Sequence, residues 1–173
     1  LLVGSYSTGT VSYYLGSSSS FDTVVDGTLT STAGYFGHAV ALADVNGDGN
    51  DDAVVGAYGY DSGQTDEGSV SVYHATGAGF SSSANTLIQS NETYAYMGQS
   101  VASLGDVDLD GFADIAVGVP QFDNGQTNEG TVFVYRGSAT GLNTTAQAAL
   151  EVNLDSAYFG STVASAGDVN GDG

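Results

Sequence analysis

Residues 96–135 read "YMGQSVASLGDVDLDGFADIAVGVPQFDNGQTNEGTVFVY": an aromatic-led glycine, a short apolar run, a turn crowded with aspartates, a longer apolar run, a polar loop and a third apolar run. The apolar runs are short, rich in Val, Ile, Tyr and Phe, and bounded by Gly, Asn, Asp and Ser, which is strand and turn punctuation without a sustained helical period. The pattern predicts strands near 99–104, 113–119 and 130–135, with a weaker fourth near 148–152.

The same order of features recurs along the chain. An offset of 62 residues carries Asp44 to Asp106 to Asp168, Gly56 to Gly118, Gly68 to Gly130 and Tyr73 to Tyr135;. The first copy has one residue fewer between its opening glycine and its first aspartate. At the N-terminus "LLVGSYSTGTVSYYLGS" answers the back half of a unit, with Val3-Gly4 matching Val55-Gly56 and Tyr14 matching Tyr73. The Ser-rich stretches 17–20 and 81–83 recur between the third and fourth strands and read as loops;. A four-stranded unit in tandem suits the blade of a β-propeller, in which radial packing buries both faces of each small sheet. The expected fold is therefore all-β, a propeller of four-stranded antiparallel blades present as an incomplete arc. Its divisions are 1–36 as the second half of a blade with its connection, 37–97 and 98–159 as complete blades with acidic loops, and 160–173 as the start of another, cut within its acidic loop. The chain opens on Leu1 and closes on Gly173 in mid-motif, so it reads as a fragment.

Twenty Asp and Glu stand against a single basic side chain, Arg136, which argues against nucleic acid or an anionic membrane as partner and makes cations the natural counterpart;. Ten of those acids lie in three short segments. Counted from its first aspartate, the second loop has carboxylates at positions 1, 3, 5 and 9: Asp106, Asp108, Asp110 and Asp114. The first has Asp44, Asn46, Asp48 and Asp52 there, and the third starts Asp168, Asn170, Asp172. Position 6 is glycine in all three, at Gly49, Gly111 and Gly173, which permits the positive φ of a curled backbone;. Oxygens at alternate positions then point inward, and the main-chain carbonyl of Asn50 or Phe112 at position 7 adds another. Only hard oxygen donors are on offer, which suits Ca²⁺ over zinc or copper, and the loose spacing disfavours Mg²⁺. The expectation is one Ca²⁺ in each of the two complete loops; the bland alternative is a solvated acidic turn. An EF-hand is excluded, because position 12 is Val55 or Val117 in a strand where that loop needs a bidentate glutamate and a helix;. Asp51, opposite Ala113 in the alignment, is not a ligand in this reading. Weak sites of this kind belong where calcium is abundant, outside the cytoplasm.

Tyr35-Phe36-Gly37, Tyr96-Met97-Gly98 and Tyr158-Phe159-Gly160, with Gly56-Ala57-Tyr58 and Gly118-Val119-Pro120, resemble the "FG" and "GAP" signatures of FG-GAP repeats, the blades of integrin α-subunit propellers and of many bacterial surface proteins. The loops "YDSGQTDEG" and "FDNGQTNEG" and the "GSATGL" at 137–142 are similar to bacterial secreted members. Met97 in place of phenylalanine and Tyr58 in place of proline depart from the signature. The resemblance implies a secreted or cell-surface module for adhesion or for protein or glycan recognition. Its ligand would bind on the face opposite the acidic loops, with no nucleic acid and no membrane insertion. Two alternatives are a non-catalytic propeller appended to a secreted hydrolase or phospholipase, and a purely structural spacer.

No enzyme is expected. His38 becomes Gln99 and Ser161 in the other units, His74 becomes Arg136, and no nucleophile elbow or zinc-protease motif occurs;. Asp61, Gln64, Glu67 and their counterparts Asp123, Gln126, Glu129 read as loop braces. Tyr14, Tyr73 and Tyr135, at one strand position, read as packing residues;.

Overall fold

In a computed structural model, which describes residues 1–16 and 23–167, every regular element is a strand. The first sheet holds β1 (Leu2–Ser5), β2 (Thr10–Tyr13) and β3 (Gly27–Thr30). The second holds β4 (Ala39–Ala43), β5 (Asp52–Ala57), β6 (Ser69–Tyr73) and β9 (Thr86–Gln89), with a small hairpin of β7 (Ala75–Thr76) and β8 (Gly79–Phe80) inserted before the last. The third holds β10 (Ser100–Gly105), β11 (Asp114–Val119), β12 (Thr131–Tyr135) and β13 (Ala148–Leu150). All neighbours pair antiparallel in sequence order, and no sheet closes on itself. The protein is thus an all-β stack of propeller-type sheets.

Three details go beyond the repeat pattern. The N-terminal unit has three strands, answering the second to fourth of a blade, since Val11 of β2 pairs with Leu29 of β3. The extra residue of the second acidic repeat is absorbed by a β-bulge: Ser103 faces Ile115 and Gly105 faces Asp114, leaving Leu104 without an opposite number;. Residues 160–167 form no strand. β4 and β10 each take their ladder from the strand that follows, and among the described residues no strand follows 160–167.

Burial explains why the second strand of each unit is a continuous apolar run. All six residues of β5 and all six of β11 are buried, as expected where both faces of a sheet are covered;. β5 alternates between two cores: Ala53, Val55 and Ala57 meet Leu2, Val11, Leu29 and Phe36 of the preceding unit, whereas Val54 meets Val101, Ile115 and Val117 of the next. The outermost strand β13 is exposed along its length. Tyr73 and Tyr135 are buried, in keeping with a packing role.

The sheets approach closest at two glycines per unit. A Cβ built on Gly4 would lie 1.9 Å from the Gly37 carbonyl oxygen, one on Gly56 2.0 Å from that of Gly98, and one on Gly118 1.9 Å from that of Gly160. The second glycine of each pair also has φ between 81° and 86°, at Gly37, Gly98 and Gly160. It donates its N–H within its own unit, Gly37 to the Gly56 carbonyl and Gly98 to the Gly118 carbonyl, at 3.0 and 3.1 Å. Both signature glycines are thereby explained: one for lack of a side chain, the other for that and for its backbone conformation.

Gly56→Ala and Gly118→Ala are each expected to cost about 1–3 kcal/mol or more by forcing adjacent backbones apart. Gly77→Ala, whose Cβ would meet nothing within 4 Å, should be near neutral. Urea unfolding midpoints of the three variants check this; equal midpoints would contradict it.

Candidate metal centre

Both acidic loops are hairpin turns at the same end of adjacent sheets, between β4 and β5 and between β10 and β11. Each curls around its first aspartate. Asp44 accepts the N–H of Asp48 on Oδ1 at 3.0 Å and that of Gly49 on Oδ2 at 2.8 Å. Asp106 accepts Asp110 and Gly111 in the same way, at 3.0 and 2.7 Å. Gly49 and Gly111 have φ of 87° and 94°, the conformation that turns those amides inward. Asp48 then accepts the Asn50 amide at 2.9 Å and Asp110 the Phe112 amide at 3.1 Å.

The ninth-position aspartates sit at the buried base of the turns. Asp52 Oδ1 accepts the Ala75 N–H at 2.8 Å, and Asp114 Oδ1 accepts that of Gly137 at 3.1 Å, so each ties its hairpin to the segment after the third strand. Asp114 Oδ2 also accepts Val107 N–H at 3.2 Å, whereas Asp52 Oδ2 is buried without a hydrogen-bond partner. Burial pushes both carboxyls above their ordinary value, against the pull of these amides;. Asp48 is instead held below its ordinary value, first by the side-chain and backbone donors of Asn50.

The second loop brings Asp106, Asp108 and Asp114 together, with one carboxylate oxygen of each within 4.8 Å of the others. Asp108 Oδ1 is buried there without a partner. Asp110 stands outside that group. In the first loop Asn46 Oδ1 accepts the Asp48 N–H at 2.9 Å and its Nδ2 donates to Asp48 Oδ2 at 3.1 Å. The donor set is entirely oxygen, with buried unpartnered carboxylate oxygens in both loops; a hard cation fits such a set, and a soft metal does not. Asp168, Asn170 and Asp172 lie outside the described residues.

The two loops touch. Ala113 donates its N–H to the Asp44 carbonyl at 2.8 Å, and a Cβ on Gly47 would meet the Phe112 ring at 2.8 Å. Asn50 donates Nδ2 to Asp48 Oδ1 at 3.0 Å. Two further residues of the site escaped the sequence reading. Arg136 reaches Asp108 Oδ2 at 2.8 Å, and His74 lies close enough to Asp48 and Asp52 to favour their charged forms. The signal was present, since both directly follow the aligned tyrosines Tyr73 and Tyr135.

At the opposite end lie the loops 58–67 and 120–129 and the entries to the first strands. Glu67 and Glu129 are fully buried and accept the N–H groups of Ser62 and Asn124 at 2.6 and 2.7 Å. Asp61 and Asp123 accept those of Asp66 and Asn128, at 2.6 and 2.5 Å. Gln64 accepts the Thr93 hydroxyl at 2.6 Å. These are the expected braces, except that Gln126 contributes its backbone N–H to Glu129 rather than its side chain. Tyr58, standing where the next unit has Pro120, stacks on Tyr35 at 4.4 Å and meets the edges of His38 and Tyr96 at 4.7 and 5.7 Å. Tyr6 adds to the cluster from the preceding unit. His38 Nδ1 lies 3.1 Å from the Gln99 carbonyl, so that histidine bridges two units.

The FG-GAP repeat profile matches residues 36–73 and 97–135. Among curated proteins, the chain is 34% identical to integrin alpha-5 of Xenopus laevis over 150 residues, which is 82% of this chain and 14% of that protein. It is 37% identical to integrin alpha-V of Gallus gallus over 148 residues, 83% of this chain and 14% of the relative. It is 35% identical to integrin alpha-IIb of Homo sapiens over 153 residues, with coverages of 82% and 14%. The chain thus spans a small part of the length of these relatives. Among the described residues no helix is long and apolar enough to cross a membrane.

Asp52 makes a pH prediction. Its folded-state pKa is raised, so its ionised form is penalised on folding, and this contribution to stability falls as pH rises from 3.8 through the raised value;. In chelating buffer, Asp52→Asn, which keeps the acceptor for Ala75, should therefore match the parent in acid and equal or exceed it near neutrality. Urea midpoints across that range measure the difference; a variant that loses ground as pH rises would contradict the assignment.

Proposed function

This chain is an FG-GAP repeat protein, and on that footing we propose that it is a calcium-braced β-propeller segment of an extracellular or cell-surface protein, serving adhesion or the recognition of a protein or glycan ligand and carrying no catalysis of its own. The observation that carries the reading is the convergence of Asp106, Asp108 and Asp114, one carboxylate oxygen of each within 4.8 Å of the others, with Asp108 Oδ1 buried and unpartnered. Leaving such atoms buried and unmatched costs folding free energy, and a bound cation removes that cost.

In this reading Asp44, Asn46, Asp48 and Asp52 hold one Ca²⁺ with the Asn50 carbonyl, and Asp106, Asp108, Asp110 and Asp114 hold another with that of Phe112. Asp168, Asn170 and Asp172 open a third loop. The blades divide at 37–97 and 98–159, between partial units at 1–36 and 160–173. The bound ion cancels carboxylate repulsion and fixes each hairpin. At a hundredfold excess over its dissociation constant, that binding is worth about 2.7 kcal/mol per loop.

The recognition face is the end opposite the calcium turns. Its loops are braced from within by buried Glu67 and Glu129, which supports a preformed surface rather than one ordered on binding;. Tyr6 and Tyr35, 52% and 46% exposed, present aromatic area there for a protein side chain or a sugar ring;.

Calcium titration by calorimetry tests the centre. The parent should give binding heat and a higher thermal midpoint with calcium than in chelator. Asp44→Ala and Asp106→Ala should each remove one site. No heat and no midpoint shift in the parent would refute the reading.

A further inference from the structure

The chain's single basic side chain is held at one of the two turns. Arg136, directly after β12, places a guanidinium nitrogen 2.8 Å from Asp108 Oδ2. Of the twenty acidic residues it pairs with the one that distinguishes the second loop from the first, because position 3 is Asp108 in one and Asn46 in the other. The residue matching Arg136 beside the first loop is His74.

The charge counts then agree. The first loop offers three carboxylates, Asp44, Asp48 and Asp52; the second offers four, Asp106, Asp108, Asp110 and Asp114, together with one guanidinium. Over these ligand positions each turn carries a net of three negative charges, and Asp51, outside the ligand set, adds one more to the first. They differ in how the charge is offset without metal. Asn46 closes the first loop with neutral hydrogen bonds, whereas the second relies on a fixed cation that an arriving ion must tolerate as a neighbour;.

Resting on the calcium reading above, we propose that Arg136 is a resident counter-cation of the second turn: it holds the four-carboxylate loop together when calcium is absent and lowers that loop's calcium affinity. Arg136 takes Oδ2 and leaves Asp108 Oδ1 buried without a partner, so one oxygen of this carboxylate stays available and the opposition is electrostatic rather than steric. The pair is partly exposed, with side-chain accessibilities of 41% and 22%, so water and salt moderate the effect;. Removing the guanidinium should tighten calcium binding at this loop roughly two- to fivefold, the range expected of a pair this exposed. The gain should shrink as salt rises, and the metal-free protein should become less stable.

The test uses calcium chloride as probe and calorimetry as readout, in an Asp44→Ala background that silences the first loop. Should that background fail to fold, Asp48→Ala, whose side chain bonds only within the exposed turn, replaces it. Arg136→Gln is expected to bind calcium tighter than its parent and to unfold at lower urea in chelator. The pair Asp108→Asn with Arg136→His gives the second loop the first loop's side chains at positions 1, 3, 5 and 9 and should bring its calcium affinity toward that of the first loop, measured in an Asp106→Ala background. Unchanged or weaker binding by Arg136→Gln, while the parent binds calcium, overturns the proposal and leaves the calcium reading standing. Absence of calcium binding in every protein, the two-loop parent included, overturns both.

Discussion

Two strips of glycine backbone set the geometry from which the rest of the molecule follows. Where Gly4 meets Gly37, Gly56 meets Gly98 and Gly118 meets Gly160, the chain passes so close to itself that no side chain fits. The contact fixes how near a strand of one sheet lies to the turn that opens the next unit, and hence the spacing of the sheet faces behind them. Valine, isoleucine and methionine fill that space to full burial: Val54, Val70, Met97, Ile115 and Val117 have no exposed surface. A packed interior tolerates neither voids nor overfilling, so the glycine contact and the side-chain sizes behind it form one constraint.

The acidic turns accept a second, electrostatic constraint at one end of this scaffold. Short hairpins bring first- and ninth-position aspartates close, and the backbone satisfies most of their oxygens through inward-turned amides. It leaves Asp52 Oδ2 and Asp108 Oδ1 unmatched. The turns are also in contact, since the Ala113 amide bonds to the Asp44 carbonyl. Backbone amides donated to the buried glutamates hold the other end, and an aromatic cluster joins two units there. The two ends thus use different chemistry to order loops on the same strands.

Much of this was legible beforehand because it is local or periodic. Strand positions follow from four- to seven-residue apolar runs between turn formers, and the repeat multiplies each weak signal. The aspartate register is legible because ligand spacing in a turn is a property of consecutive residues. The last strand of the N-terminal unit was implied by the Ser-rich stretch before it but not located, because Gly27–Thr30 is short and lacks a strong apolar alternation; it is a strand because Leu29 finds a place in the core beside Val11. The bulge at Leu104 was visible as one surplus residue, but only the pairing of Gly105 with Asp114 shows where the surplus goes.

The sequence by itself determined the all-β class, the repeat period, the signature glycines and the carboxylates of each turn, because period, turn chemistry and charge are carried by near neighbours in the chain. Tertiary structure alone decided which glycine lies against which, that Arg136 neutralises Asp108, and that one carboxylate oxygen in each turn stays buried and unmatched. Those are contacts between residues tens of positions apart, and their distances are set by how whole sheets pack, which no local pattern encodes.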